Sequence, residues 1–301
     1  MLKTSYEEIV DVQAIGQTQN TRNLNDLLPL ASAENLSPAE NDPEQNLLVI
    51  IDMQNDFMEN GSLGVPGSHG DVERLTRFVY KNMAKISQIA MTLDTHIPHQ
   101  IFFPCWWVDQ DGNNPPPFTP ITKEDLVNGK WRPVYFPADS VDYVEGLKKA
   151  GNMDLFIWTY HCIQGTFGCT LENQLSNMIY FHAVAKKSTP ICIVKGTDPL
   201  SEMYGIIKPE YDKKNYVNLD FLNLFEKYHK IIIAGEAASH CVLRSIQQFL
   251  EYYSNRPDIL RKFVILEDCM SDIPGFDSKS EYGKLKKENQ ISIVKSVDLV
   301  L

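Results

Sequence analysis

Six side chains in this 301-residue chain are of the types that break a carbonyl bond or hold a metal ion: Asp52, Asp94, His96, His161, Lys195 and Cys241. A cysteine, a carboxylate and an ammonium together suit nucleophilic acyl transfer. The carboxylate takes the thiol proton, the thiolate attacks, and the proton later goes to a leaving amine. Each residue alone has a bland reading. An Asp after a strand is commonly a turn former or helix cap, a buried Cys is a small hydrophobe, and a Lys in a loop is usually solvated. The stretch GEAASHCVLRSIQQFLEYY reads as strand, tight turn and a helix beginning near Ser239. Cys241 then faces unpaired backbone N–H groups and the positive end of a helix, which lower a thiol's pKa. The same N–H groups can hold an oxyanion. His240 is an alternative base, although as the sequence neighbour of Cys241 it points elsewhere on the helix.

The elements that must position these residues are apolar runs. LLVIID (47–52) is continuous and ends in an acid, the pattern of a strand buried on both faces of a parallel sheet. Similar runs recur at 86–93, 153–158, 191–194, 230–234 and 263–267, with helix-like segments at 71–85, 168–185, 219–229 and 241–253. The alternation predicts an α/β fold: a doubly wound, mostly parallel sheet of about six strands with helices on both faces. Ligands of such sheets bind beyond the carboxyl ends of the strands. Those ends carry Asp52, then Asp94 with His96, then Trp158 with His161, then Lys195, then Gly235 followed by Cys241. Residues 1–45 read as an N-terminal extension, partly disordered or docking on the core. Residues 46–301 read as one hydrolase domain, with a Pro-rich insertion at about 105–152 near the mouth of the site.

Composition narrows the function classes. With 43% hydrophobic and 22% charged residues, the chain supports a core without staples. Its formal net charge of -11 disfavours nucleic acid and anionic membranes as partners. No stretch approaches the roughly 18 consecutive apolar residues of a membrane span. The six cysteines show no metal-type or C-x-x-C spacing. The N-terminus has no secretory-type apolar run, so reduced thiols in a cytoplasmic protein are expected. No G-x-G-x-x-G or P-loop follows the first strand, so no nucleotide cofactor is expected.

LLVIIDMQNDFMENGSLGVPG, the VKG at 194–196 and GEAASHCV at 235–242 resemble the isochorismatase-like cysteine hydrolases, a family that includes nicotinamidases and ureido-compound amidases. The resemblance covers roughly residues 46–275. It implies a catalytic triad of Asp52, Lys195 and Cys241, and an oxyanion hole of the Ala237 and Cys241 N–H groups beside a cis peptide between Glu236 and Ala237. Metal-binding nicotinamidases carry D-x-H and W-P-x-H-C. Here Asp94-Thr95-His96 and Trp158-Thr159-Tyr160-His161-Cys162 stand in those places, with Thr159 where the family has proline. The implied metal ligands are Asp94, His96 and His161, with His99 as a fourth, for zinc first and iron or manganese next. Phe57, Trp158 and Tyr204 are expected to flank a substrate ring. The reading is a cysteine-dependent amidase acting on a small molecule, nicotinamide first, in a homo-oligomer. The alternatives are an amidase of the same family acting on a ureido or carbamoyl compound, and a non-catalytic doubly wound binding domain.

Overall fold

A computed structural model describes residues 2–301. Six parallel strands form the central sheet: β1 (Asn46–Ile51), β2 (Gln88–Asp94), β3 (Ile191–Lys195), β4 (Lys230–Gly235), β5 (Phe263–Leu266) and β6 (Ser292–Val294). Their order is β6-β5-β4-β1-β2-β3. The chain winds outward from β1 in one direction and then returns to β1's other side. The β1–β4 boundary is therefore the point where the winding reverses, and a crevice opens there at the carboxyl ends.

All six residues of β1 are buried, because both of its faces are covered. Successive side chains alternate between two cores, as a strand's period of two requires. Leu48 and Ile50 join Ile89, Met91, Ile232 and Ala234 on one face. Leu47, Val49 and Ile51 join Ala90, Ile231 and Ile233 on the other. Helix α1 (Ser68–Lys81) covers the first face with Val72, Leu75 and Val79, beside the helix Asn173–Lys186 with its Leu175 and Met178. The helix Leu243–Tyr252 covers the second face with Ile246 and Phe249.

The run at 153–158 is not a strand of this sheet. Only Leu155–Phe156 is extended, paired antiparallel with Pro120–Ile121. The run is apolar because Leu155, Ile157 and Trp158 belong to a third core laid across the carboxyl edge of the sheet. Apolar length alone does not separate the two cases. The sixth strand is Ser292–Val294, which is short with only its middle residue buried.

Residues 105–152 contribute Trp106, Trp107, Trp131 and Tyr143 to that third core and contain the helix Pro137–Lys149. In the N-terminal extension, Tyr6, Ile9, Val10 and Leu27 pack into the first core. The extension's Asp11 N–H donates to Gln174 and its Gly16 N–H to Glu172, at the start of the helix Asn173–Lys186. Among the described residues no helix is long and apolar enough to cross a membrane.

Candidate active site

Asp52 follows β1 directly, with φ 44, a left-handed conformation that Asp adopts more readily than most residues. Its N–H donates to Thr92 Oγ1 at 2.9 Å, and that hydroxyl donates back to Asp52 Oδ1 at 2.5 Å. The other carboxylate oxygen, Oδ2, lies 2.8 Å from the Lys195 ammonium at the end of β3. Lys195 Nζ also reaches Asp94 Oδ1 at 3.1 Å, the Met203 carbonyl at 2.9 Å and Cys241 Sγ at 3.8 Å. One buried ammonium thus joins the carboxylates from β1 and β2 to the thiol that follows β4. Burial opposes its charge, but Asp52 and Asp94 hold its pKa well above the usual lysine value.

Burial raises the Asp52 carboxyl despite the opposing charge of Lys195. Burial also pushes the Cys241 thiol well above its ordinary value, with Lys195 pulling it back only in part. Burial thus opposes the charged form of both groups, and Lys195 is the cation that offsets it.

The backbone around Cys241 differs from the expected helix start. Ala238–Val242 forms one wide π turn, and the regular helix begins at Leu243. The His240 and Val242 N–H groups both donate to the Ala237 carbonyl, at 3.1 and 3.2 Å. The Ala237 N–H has no hydrogen-bond partner among the described residues. The peptide between Glu236 and Ala237 is cis. Gly235 permits this approach: at φ 132, a Cβ there would lie 2.0 Å from the Ile51 carbonyl oxygen. His240 is not placed as a base. Burial lowers its pKa to about 4, its Nδ1 pairs with Ser239 Oγ at 2.9 Å, and its ring packs edge-on against Trp158 and Tyr204.

Asp94, His96 and His161 converge at a second point. Their ligand atoms lie within 4.8 Å of one another, and all three residues are buried. His96 Nδ1 faces the Gly196 carbonyl at 3.0 Å and His161 Nδ1 faces the Thr159 carbonyl at 2.8 Å. Each carbonyl requires an Nδ1–H, which leaves a lone pair on Nε2. Both Nε2 atoms then point at Asp94 Oδ2, at 2.9 and 3.8 Å. Lone pairs converging on one point repel unless a cation stands between them, so the donor set fits a divalent metal with two imidazoles and one carboxylate. A proton can offset part of the same repulsion. Burial disfavours the His96 imidazolium, yet Asp94 raises its pKa. Gly196 is needed beside the cluster: at φ 74, a Cβ there would stand 2.5 Å from Asp94 Oδ1. His99 does not join the group. It is exposed, and its ring packs against Tyr135.

The two clusters share a cavity whose walls include Phe57, Trp158, Tyr204, Ala237, His240 and Cys241, with Asp94 and His161 at one side. Phe57, Trp158 and Tyr204, expected from the sequence to flank a substrate ring, are among its lining residues. Glu202 lines it too, and sequence reasoning missed it. Burial raises its carboxyl to about 7, and its backbone N–H donates to the Tyr143 hydroxyl of the insertion.

Sequence reasoning also leaves D-x-Q-x-D-F as a motif without a role for each letter. Gln54 donates to the Asp94 and Cys169 carbonyls and accepts from the Asp94 N–H, each at 2.8 Å, pinning the end of β2. Asp56 accepts from the Cys162 N–H at 2.7 Å and so anchors the segment that carries His161. That segment runs beside the end of β2 through a bridge between His96 and Ile163, so His161 reaches the cluster from a loop rather than from a strand.

No protein-family model matches the chain, and no curated protein matches it. Solved structures do. A nicotinamidase/pyrazinamidase of Acinetobacter baumanii superposes with a TM-score of 0.57 at 18% identity, over 86% of this chain and 99% of that one. The yeast nicotinamidase bound to the inhibitor nicotinaldehyde gives 0.57 at 19% identity, over 83% and 99%. A protein of L. infantum in complex with nicotinate gives 0.53 at 18% identity, over 88% and 98%. The chain therefore has the fold of these proteins, an α/β fold with a parallel central sheet and helices on both faces.

Proposed function

We propose that the chain is a cysteine-dependent amide hydrolase, and that nicotinamide is its substrate. The observation that carries this reading is the Lys195 ammonium, which joins Asp52 at 2.8 Å and Cys241 at 3.8 Å, with Cys241 in the wall of a cavity that Asp94 and His161 also line.

Asp52 accepts the Cys241 proton as the thiolate adds to the amide carbonyl. Lys195 keeps its charge throughout and offsets the negative charge that passes from carboxylate to sulfur. The free Ala237 N–H, with that of Cys241, receives the oxyanion. Asp52 returns the proton to the amine nitrogen, ammonia leaves, and the acyl group remains on Cys241 as a thioester. Water then adds with Asp52 as base, and the proton ends on the sulfur as the carboxylic acid departs.

Asp94, His96 and His161 would hold a divalent metal, zinc in the first instance. Such an ion supplies a Lewis-acid anchor for a ring nitrogen or a water. Phe57, Trp158 and Tyr204 offer aromatic faces to a flat ring, while Ala237 and Cys241 meet its carboxamide. That pairing favours a heteroaromatic amide over a ureido compound. The relatives in fold include proteins bound to nicotinaldehyde and to nicotinate, which agrees with this choice. The expected setting is the cytoplasm.

An ammonia-release screen over nicotinamide, pyrazinamide, and ureido and carbamoyl compounds tests the proposal, with metal content measured on the same sample. Turnover of the heteroaromatic amides by metal-bearing protein supports it. Turnover confined to ureido or carbamoyl compounds would move the assignment to that class of amidase.

A further inference from the structure

Glu236 is wholly buried, and the mechanism above does not use it. It directly precedes Ala237, whose free N–H is read as an oxyanion donor, so any role for Glu236 in turnover rests on that reading. Its Oε2 accepts the Ser271 N–H at 3.1 Å. Its Oε1 is buried and receives no hydrogen bond. Across Ser271 from it stands Asp71, in the first turn of α1 and also buried: Ser271 gives its N–H to Glu236 and its hydroxyl to Asp71. Asp71 is already supplied with donors: Arg74 Nη2 at 2.7 Å and Ser271 Oγ at 2.6 Å. Asp71 is thus equipped to carry a negative charge, and Glu236 is not.

Ser271 is the hub between them. Its N–H goes to Glu236, its hydroxyl to Asp71, and its carbonyl accepts the Ala238 N–H at 2.7 Å. The residues on either side of Ala237 are therefore both tied to Ser271. Other titratable groups near Glu236 are Asp272, in the loop after β5, and Tyr282, on the helix Lys279–Glu288. Neither supplies a positive charge. Two buried carboxyls facing one another cannot both ionise without great cost. An ionised Glu236 would also leave Oε1 desolvated and unpaired.

We propose that Glu236 is a positioning residue of the oxyanion loop: it is held as a neutral acid that donates its Oε1–H to the Asp71 carboxylate, and this link fixes the Ala237 N–H. Burial, then the proximity of Asp71, acts in the same direction by pushing the Glu236 carboxyl well above the usual range.

Glu236→Gln and Glu236→Leu test this. The glutamine offers an N–H to Asp71 and a carbonyl to the Ser271 N–H, whereas the leucine offers neither. The infrared difference between wild type and Glu236→Gln at neutral pH should contain the carbonyl stretch of a protonated carboxylic acid. Glu236→Gln should keep kcat within about threefold. Glu236→Leu should lower kcat on the order of tenfold or more with KM little changed, a fraction of the roughly 10²–10³ lost when an oxyanion donor is removed outright. Absence of the acid carbonyl band overturns the proposal. A glutamine variant as impaired as the leucine variant, or a fully active leucine variant, also overturns it. The infrared comparison needs only the glutamine variant and decides the matter if the leucine variant does not fold. It is also independent of turnover: a wild type that shows the band but hydrolyses no amide would defeat the functional reading and leave the shared proton standing.

Discussion

Replacing Lys195 with methionine removes a charge while keeping most of the volume, so its consequence can be worked from the ion pairs alone. Wild type has one ammonium 2.8 Å from Asp52 and 3.1 Å from Asp94, all three residues almost fully buried. Without it, two carboxylates face each other and a thiol with no cation between them. Breaking a buried pair by deleting one partner costs about 3–5 kcal/mol, which for a chain of this size lowers Tm by roughly 5–10 °C. The variant should recover stability as pH falls. With the ammonium gone, burial and Asp94 push the folded-state pKa of Asp52 further above its unfolded value. Asp52 then favours the folded state below the unfolded pKa and loses that advantage as pH rises through the folded one. The stability gap between variant and wild type should therefore be wide near pH 8 and narrow near pH 5. Activity should fall by about 10²–10⁴, because a protonated Asp52 cannot act as the base. Thermal melts at several pH values and an ammonia-release assay measure both. A variant that melts within about 1 kcal/mol of wild type at all pH values, and turns over within threefold, would refute this account of Lys195.

Cys241→Ala should abolish amide hydrolysis while leaving the melting temperature nearly unchanged, since only one buried sulfur is lost. Asp52→Asn should cost about 10²–10⁴ in kcat, as steady-state kinetics would show. His96→Ala and His161→Ala should each lose bound metal in elemental analysis, because each removes one of only two nitrogen donors. His99→Ala should keep its metal. His182 lies far from this chemistry, with its Nε2 at 2.8 Å from the Ile86 carbonyl, and burial lowers its pKa to about 4. A histidine depressed in the fold contributes stability above its unfolded pKa that is lost as pH falls through the folded value. His182 should thus account for about 3 kcal/mol of acid destabilisation between roughly pH 6.5 and 4, and denaturant melts of His182→Gln over that window should show a flatter decline.

The parallel sheet was legible because its central strands are largely buried on both faces and read as unbroken apolar runs, two of them ending at or just before Asp52 and Asp94, while the edge strand that ends in Lys195 is as apolar although partly exposed. Ser292–Val294 was not legible: an edge strand with one buried residue carries no such run. The segment 153–158 misled for the converse reason, since apolar residues packed across the end of a sheet look like a strand within it. The triplet Asp94, His96 and His161 was named from motifs, but its geometry depends on tertiary hydrogen bonds that Gln54 donates and accepts and that Asp56 and the Gly196 carbonyl accept, which no local pattern encodes. His99 illustrates the limit of spacing, because three residues along a loop turned it out to Tyr135. Glu202 went unseen because nothing near it in the chain marks it. It becomes interesting only once Tyr143, from the insertion, and Lys195, from β3, are brought beside it. The wide π turn at Cys241 was hidden in the same way, since its residues read as the first turn of an ordinary helix.

The central claim is that Cys241 carries the acyl group. Mass spectrometry of protein acid-quenched during steady-state turnover of nicotinamide tests it most directly. The account predicts a nicotinoyl group on the peptide containing Cys241, absent from Asp52→Asn and from protein quenched before substrate is added. Turnover with no acyl group on that peptide, or with the group on another residue, would contradict it.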